Sequence, residues 1–155
     1  MIKNNIKVHK HWMKYAINLA KHSQRIGEVP IGSVLILNNK IIGEGFNSSI
    51  LCNDPTAHAE IITLRKAARK IKNYRILNSI LYVTLEPCLM CFGAILHSRV
   101  KTLVYGAKNN RRNEKENKFL YFLSKFYNLG LISGILEFEC SNLIKSFFLV
   151  KRKKK

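Results

Sequence analysis

The residues of this chain that could carry out chemistry lie in two short motifs. A His-Ala-Glu sequence at 58–60 supplies an imidazole and a carboxylate, and a Pro-Cys-Leu-Met-Cys sequence at 87–91 supplies two thiols. One nitrogen and two sulfurs fill three positions of a tetrahedral zinc ion, and an open fourth position distinguishes a catalytic zinc site from a structural one. The candidate zinc ligands are His58, Cys88 and Cys91. The neighbouring carboxylate, Glu60, remains available for proton transfer.

The spacing of the two cysteines suits the first turn of a helix. Side chains three residues apart lie on one side of a helix, and the partial positive charge at a helix N-terminus favours the thiolates that zinc requires. His58 is predicted at the start of a second helix. Glu60 follows two residues later, and in the middle of a helix such a pair points to nearly opposite sides. Helical periodicity alone therefore does not place Glu60 at the metal.

A Cys-x-x-Cys motif by itself also suits half of a structural zinc site or a redox pair. A structural site needs a fourth ligand, for which the sequence offers Cys52, Cys140 and His97. Cys140 is predicted to lie on the buried face of the last helix, Cys52 lies in a polar loop, and His97 suits a cap or a hydrogen-bonded partner after a short helix. The open three-ligand site is the favoured interpretation. The remaining histidines are interpreted as surface residues: His9, His11 and His22.

The composition describes a single, strongly basic domain. The 155 residues, 47% of them hydrophobic, suit one domain over 1–150 followed by a basic tail at 151–155. The formal net charge of +18 favours a polyanionic partner, with nucleic acid first and an acidic membrane second. Drift towards A/T-rich codons would also raise the lysine content without selection for binding, and both interpretations stay open.

The cysteine pattern and the N-terminus indicate a compartment. Two of the four cysteines are three residues apart and two are solitary, which is typical of metal binding in a reducing cytoplasm rather than of a disulfide framework. Residues 1–5 lack the apolar core of a signal peptide. No apolar run approaches the roughly 20 residues that span a bilayer. We expect a cytoplasmic protein that does not bind a membrane.

Hydrophobic periodicity predicts a layered α/β fold. The predicted helices cover 11–24, 57–71, 87–96 and 136–150, with a further helix between the last two strands. The predicted strands cover 31–37, 40–46, 79–85, 100–105 and 131–133. Thr56 is the expected N-cap of the second helix, and Asn38-Asn39 is the expected hairpin turn. Because helices separate most strands, we expect three layers, α/β/α, around a mixed sheet of about five strands.

Segments flanking the two motifs resemble the bacterial tRNA-specific adenosine deaminases, a branch of the zinc-dependent cytidine/deoxycytidylate deaminase superfamily. The resemblance is carried by residues 11–13, 28–32, 43–47, 54–61, 73–75, 81–88, 90–91 and 97–99. It is close from about 9 to 107, thin from 108 to 133, and resumes in part at 134–136 and Cys140. The resemblance implies the cytidine-deaminase-like version of the three-layer fold.

The same resemblance implies an activity and a set of roles. Members of this family convert adenosine to inosine at the wobble position of a tRNA anticodon, usually of an arginine tRNA, and act as homodimers on a flipped-out base. One Zn²⁺ per subunit would be held by the three candidate ligands, and Glu60 would move the protons. The anticodon stem-loop would be the partner. The implied substrate contacts are Asn47, Val29, Pro30 and the backbone at Ala59 and Glu86.

The sequence departs from the family after Gly106. The family continues there with Arg-Asp and a loop of small residues, whereas this chain has a charged segment at 108–115 with Asn109 in place of the acidic residue. Loss of that carboxylate reduces repulsion of phosphate, so we hypothesise looser substrate selectivity.

Two other functions stay open at this level. One is a zinc-dependent deaminase of a free base, nucleoside or nucleotide of the cytosine or guanine type, against which the positive charge argues. The other is a zinc-bearing RNA-binding module without catalysis, against which Glu60 argues, since a structural zinc needs no adjacent proton carrier.

Overall fold

The computed structural model describes residues 5–153, which form five helices and five strands. The helices are α1 (Ile6–Arg25), α2 (Ala59–Ile71), α3 (Leu89–His97), α4 (Glu114–Phe126) and α5 (Glu137–Lys153). The strands are β1 (Gly32–Leu37), β2 (Lys40–Phe46), β3 (Ile80–Leu85), β4 (Thr102–Ala107) and β5 (Gly130–Ile132).

The five strands form one mixed sheet in the order β2-β1-β3-β4-β5. Strand β1 is antiparallel to both of its neighbours, β2 and β3, whereas β3, β4 and β5 run parallel. Parallel neighbours need crossover connections, and α3 and α4 provide them. The predicted mixed sheet of five strands is confirmed.

A hydrophobic core lies on each face of the sheet. On one face, residues of α2, α3 and α4 pack against alternate strand residues such as Leu81 and Val83. On the other face, α1 and α5 pack against the intervening residues, among them Tyr82. This alternation is the period-two pattern of a strand buried on both faces, and it confirms the three-layer α/β/α architecture.

The predicted hairpin between β1 and β2 is confirmed. Leu37 pairs with Lys40 across the turn, and the two turn residues, Asn38 and Asn39, have φ angles of 50° and 58°. A two-residue hairpin turn of this kind requires positive φ at both positions, which asparagine tolerates better than most residues.

Helix α1 begins at Ile6, five residues before the predicted start. The side chain of Asn5 caps it by accepting hydrogen bonds from the backbone N–H of Lys7 and Val8. His9 consequently lies inside the helix, only 2% exposed, with its Nδ1 2.9 Å from the Tyr82 hydroxyl. Its prediction as a surface residue is wrong, because the extra helical turn places it over the sheet. The two other histidines of this helix are exposed, as predicted.

Helices α2 and α3 begin later than predicted, and their N-caps are His58 and Cys88. Thr56 is not the cap, since its N–H and hydroxyl both donate to the Asp54 carboxylate at 2.7 Å. Pro87 likewise precedes the cap of α3 instead of occupying its first turn. Two of the three candidate ligands therefore stand at helix N-caps.

Helix α5 continues beyond its predicted end at Val150. Three residues of the basic segment, 151–153, are helical and exposed, and residues 154–155 lie outside the described part. The helix begins after Gly134, which has a φ of 80°, as the predicted break requires. Within residues 5–153, no helix is long and apolar enough to cross a membrane.

Gly43 allows α2 to pack directly on β2. A Cβ atom at this position would overlap the carbonyl oxygen of Thr63 and lie 2.8 Å from the Cβ of Ala67. We expect Gly43→Ala to lower the free energy of unfolding by about 1–3 kcal/mol, because backbone atoms of α2 have to move. Urea unfolding followed by circular dichroism measures this change.

Gly93→Ala is the matched control for this substitution. Gly93 lies within α3, and a Cβ there meets nothing within 4 Å. We expect this variant to be more stable by roughly 0.5–1 kcal/mol, because alanine is the better helix former. A wild-type unfolding midpoint for Gly43→Ala would contradict the packing argument.

Candidate metal centre and active site

The candidate ligands meet where α2 and α3 begin. At the N-caps, His58 has φ −73° and ψ 155°, and Cys88 has φ −68° and ψ 171°. This extended backbone directs each side chain away from the helix that follows, and neither side chain makes a capping hydrogen bond. Cys91 is the third residue of α3, and side chains at an N-cap and at the third helical position are neighbours, as in a capping box.

The three ligand atoms have the spacing of a zinc site. His58 Nδ1 lies 3.6 Å from Cys88 Sγ and 3.5 Å from Cys91 Sγ, and all three atoms lie within 4.8 Å of one another. Tetrahedral zinc with Zn–N of about 2.05 Å and Zn–S of about 2.3 Å separates nitrogen and sulfur by roughly 3.6 Å. The donor set and its geometry therefore fit Zn²⁺.

No fourth His, Cys, Asp or Glu joins this group among residues 5–153. Cys140 lies in α5 and is fully buried in the core between this helix and the sheet, and Cys52 is exposed in its loop. His97 is exposed in the last turn of α3. The described part of the chain thus leaves one position of a tetrahedral ion for water or substrate.

The electrostatics of the cluster favour a thiolate. The pKa of the Cys88 thiol is lowered to about 4, mainly because the Cys91 thiol donates a hydrogen bond to it and also because His58 lies beside it. The pKa of Cys91 is raised, because its proton is held in that same hydrogen bond and because the side chain is buried. The pKa of His58 is raised by its hydrogen bond with Cys88. Cys88 is therefore ready to bind a cation near neutral pH.

Glu60 lies beside the cluster as a buried carboxyl group. It is 3% exposed, its Oε2 has no hydrogen-bond partner among the described residues, and burial raises its pKa to about 7. Residues two apart in the middle of a helix point to nearly opposite sides, but this does not separate Glu60 from His58, because His58 is an extended N-cap rather than a mid-helix residue. A carboxyl group with a pKa near neutrality can both accept and release a proton.

A cavity of about 730 Å³ joins the cluster to the surface. It is lined by His58, Glu60 and Cys88, together with three of the predicted substrate contacts: Val29, Asn47 and Glu86. The two other predicted contacts, Pro30 and Ala59, are buried and do not line the cavity.

One wall of the cavity was not foreseen from the sequence. It is formed by one face of α5, namely Glu137, Ser141, Ile144, Lys145 and Phe148. Their spacing marks a helical stripe, but a stripe does not show which part of the fold it faces. Arg111, from the charged segment, lies with its guanidinium carbon 5.3 Å from the centre of the Phe148 ring. The cavity entrance is therefore both aromatic and basic.

The segment after β4 is held by Glu86. The Glu86 carboxylate accepts a hydrogen bond from the N–H of Asn109 at 3.0 Å and pairs with Arg112 at 2.7 Å. The Arg112 side chain is only 8% exposed, so this ion pair is largely shielded from water. Residues 108–111 line the cavity as a result.

Comparisons with known proteins agree with this geometry. Residues 6–107 match the family model of the cytidine and deoxycytidylate deaminase zinc-binding region. The tRNA-specific adenosine deaminase of Buchnera aphidicola subsp. Baizongia pistaciae is 57% identical over 146 residues, which are 93% of this chain and 90% of that protein.

Two solved structures extend the comparison to the fold. A structure from work on A-to-I editing by tRNA:A34 deaminases at the wobble position matches with a TM-score of 0.78 and 36% identity, over 86% of this chain and 98% of the other. Guanine deaminase from Bacillus subtilis matches with a TM-score of 0.64 and 38% identity, over 76% and 74%. The chain belongs to the cytidine and deoxycytidylate deaminase family and is a zinc-type deaminase.

Proposed function

We propose that this protein converts adenosine to inosine at the wobble position, position 34, of tRNA, and that an arginine tRNA is its substrate. The observation that carries the proposal is the cavity in which Glu60 lies beside the group of His58, Cys88 and Cys91. The choice of adenosine in tRNA is supported by the relative that is 57% identical and by the structure connected with A34 editing.

In this proposal, His58, Cys88 and Cys91 hold one Zn²⁺ per subunit. The zinc ion, when bound, supplies the acidity that makes a water molecule nucleophilic near neutral pH. Glu60 accepts a proton from the attacking water and delivers it to a ring nitrogen of adenine. The water oxygen bonds to C6, and Glu60 then carries the second proton from that oxygen to the amino group. The bond between C6 and the amino nitrogen breaks, C6 keeps the oxygen as a carbonyl, and ammonia leaves. The overall change is adenosine and water to inosine and ammonia.

The surroundings of the cavity suit a flipped-out nucleotide of an RNA loop. Lys108, Arg111 and Lys145 line it, and their positive charges attract the phosphates on either side of the target base. A base in a loop can be extruded into such a pocket at modest cost. We propose the anticodon stem-loop as the partner, and as contacts to the target nucleotide we propose the predicted residues that line the cavity, namely Asn47, Val29 and the backbone of Glu86.

We further propose a homodimer in the cytoplasm. Leu89 and Met90, between the two cysteine ligands, are 60% and 38% exposed, and apolar surface beside an active site favours association. A reducing compartment keeps the Cys88 thiol available for the metal.

Deamination of a free base of the guanine type is the second candidate, because the Bacillus subtilis guanine deaminase shares 38% identity with this chain. We expect the protein to form inosine in an adenosine-34 tRNA and to leave guanine, cytosine and free adenosine unchanged. Mass spectrometry measures inosine in nucleoside digests of the tRNA, and it measures the loss of guanine, cytosine or adenosine in the reactions with free compounds. The same tRNA with guanosine at position 34 is the control. Turnover of free guanine, with none of tRNA, would replace the proposal by the second candidate.

The ligand set predicts the metal content of variants. We expect His58→Ala, Cys88→Ala and Cys91→Ala each to lose most of the bound zinc, because two remaining ligands do not hold the ion. Elemental analysis of the purified proteins measures this loss. Cys52→Ala is the control, since Cys52 is an exposed thiol outside the cluster. Full zinc content in any of the three ligand variants would remove that residue from the site.

The role of Glu60 predicts a separation of metal binding from turnover. We expect Glu60→Gln to keep its zinc and to lose about 10²- to 10⁴-fold in kcat on tRNA, because an amide cannot carry the proton. Single-turnover kinetics and elemental analysis measure the two quantities. Glu137→Gln, another carboxyl group that lines the cavity, serves as the matched control and should stay near wild-type turnover. Undiminished turnover in Glu60→Gln would exclude the proton-transfer role.

A further inference from the structure

Glu28 is a buried carboxylate at the cavity for which the reaction described above has no step. It is 1% exposed and lines the same cavity as Glu60. Its Oε2 accepts a hydrogen bond from Asn47 Nδ2 at 2.9 Å. Its Oε1 accepts hydrogen bonds from the backbone N–H groups of Ile50 and Leu51, both at 2.8 Å. Both oxygens of the carboxylate are therefore occupied by donors.

This arrangement determines which way the Asn47 amide faces. A carboxylate only accepts hydrogen bonds, so the amino group of Asn47 has to point at Glu28 and its carbonyl oxygen away from it. The backbone of Asn47 is held as well, because its N–H donates to Ile31 O at 3.0 Å and its carbonyl accepts from the Ser23 hydroxyl at 3.1 Å. Asn47 is only 6% exposed, so the surrounding atoms also restrict rotation of its side chain.

The remaining polar groups of the amide are left for a ligand. Asn47 lines the cavity, and no donor among residues 5–153 bonds to its Oδ1. The amide thus offers an acceptor, Oδ1, beside its second N–H donor. An asparagine amide in this orientation matches adenine, which carries an amino donor beside a ring-nitrogen acceptor.

We propose that Glu28 is a positioning residue that fixes the amide of Asn47 for recognition of the target adenosine. This inference rests on the proposed function, since it names adenosine as the base. Glu28 acts only through Asn47, and its effect on turnover follows from the orientation of that one amide. The opposing explanation is that Glu28 merely anchors the loop at 48–51, whose residues Ser49 and Ile50 also line the cavity.

Glu28→Gln is the first test, because glutamine has one acceptor and one donor where the carboxylate has two acceptors. It can accept from the two backbone N–H groups and also bond Asn47 only if the Asn47 amide turns over, so that Oδ1 accepts from the glutamine and the amino group of Asn47 faces the cavity. We expect kcat on an adenosine-34 tRNA to fall about 10- to 100-fold. KM should stay within about threefold, because phosphate contacts elsewhere supply most of the affinity. A kcat within about twofold of wild type would overturn the inference.

Hydrogen exchange at the backbone N–H groups of Ile50 and Leu51 separates amide orientation from loop anchoring. The glutamine oxygen of Glu28→Gln can still accept from both of these N–H groups. We therefore expect their exchange rates and the thermal midpoint to stay close to wild type while kcat falls. A fall in kcat that is accompanied by much faster exchange at Ile50 and Leu51 would show that Glu28 is only a loop anchor.

A readout without substrate keeps this inference distinct from the proposed function. In ¹H–¹⁵N spectra, the side-chain amide of Asn47 should exchange slowly with solvent in the wild type and rapidly in Glu28→Gln. Equal exchange in the two proteins would overturn the positioning role. If the wild type forms no inosine in tRNA but the two spectra differ as expected, the proposed function fails while the orientation of Asn47 by Glu28 stands.

Discussion

The site depends on two helix N-termini that lie next to each other at one end of the strands. His58 and Cys88 are the N-caps of α2 and α3, and both have extended backbones that turn their side chains out of the helices. Helix N-termini carry partial positive charge, which stabilises thiolates. If either helix were displaced by a few ångströms, the three ligand atoms would no longer lie within 4.8 Å of one another.

The packing of α2 on β2 controls that meeting point. Gly43 and Gly45 face α2, and a Cβ at Gly45 would lie 2.8 Å from the carbonyl oxygen of Ala59 at the start of the helix. The Thr63 hydroxyl donates to the carbonyl of Ser33 in β1 at 3.1 Å. Close backbone approach on β2 and a hydrogen bond to β1 together hold the helix that carries His58 and Glu60. The chemistry of the site is thus coupled to the core of the fold.

Two buried carboxyl groups that line the same cavity differ in the number of hydrogen-bond donors around them. Glu28 accepts three hydrogen bonds, so it serves as a fixed anchor for neighbouring groups. Glu60 has an oxygen without a partner, and burial raises its pKa to about 7, so it can exchange a proton. The number of donors around each group, rather than the residue type, separates a structural carboxylate from a reactive one.

The sequence by itself determined the chemistry and the layers. Residue type and spacing identified His58, Cys88 and Cys91 as one group, and the order of predicted helices and strands predicted the mixed sheet, because ligand chemistry and hydrophobic periodicity are local properties. Local patterns failed where tertiary contacts compete. Asn5 extended α1 and buried His9, and Asp54 engaged Thr56, which left His58 as the cap.

Only the tertiary structure decided which side chains share the cavity. The position of Glu60 beside the ligands, the α5 wall and the link from Glu28 to Asn47 each join segments that are distant in sequence. Helical periodicity shows which residues of α5 share a face, but not what that face packs against. Such contacts depend on how the layers pack, since packing is set by the whole core and not by neighbouring residues.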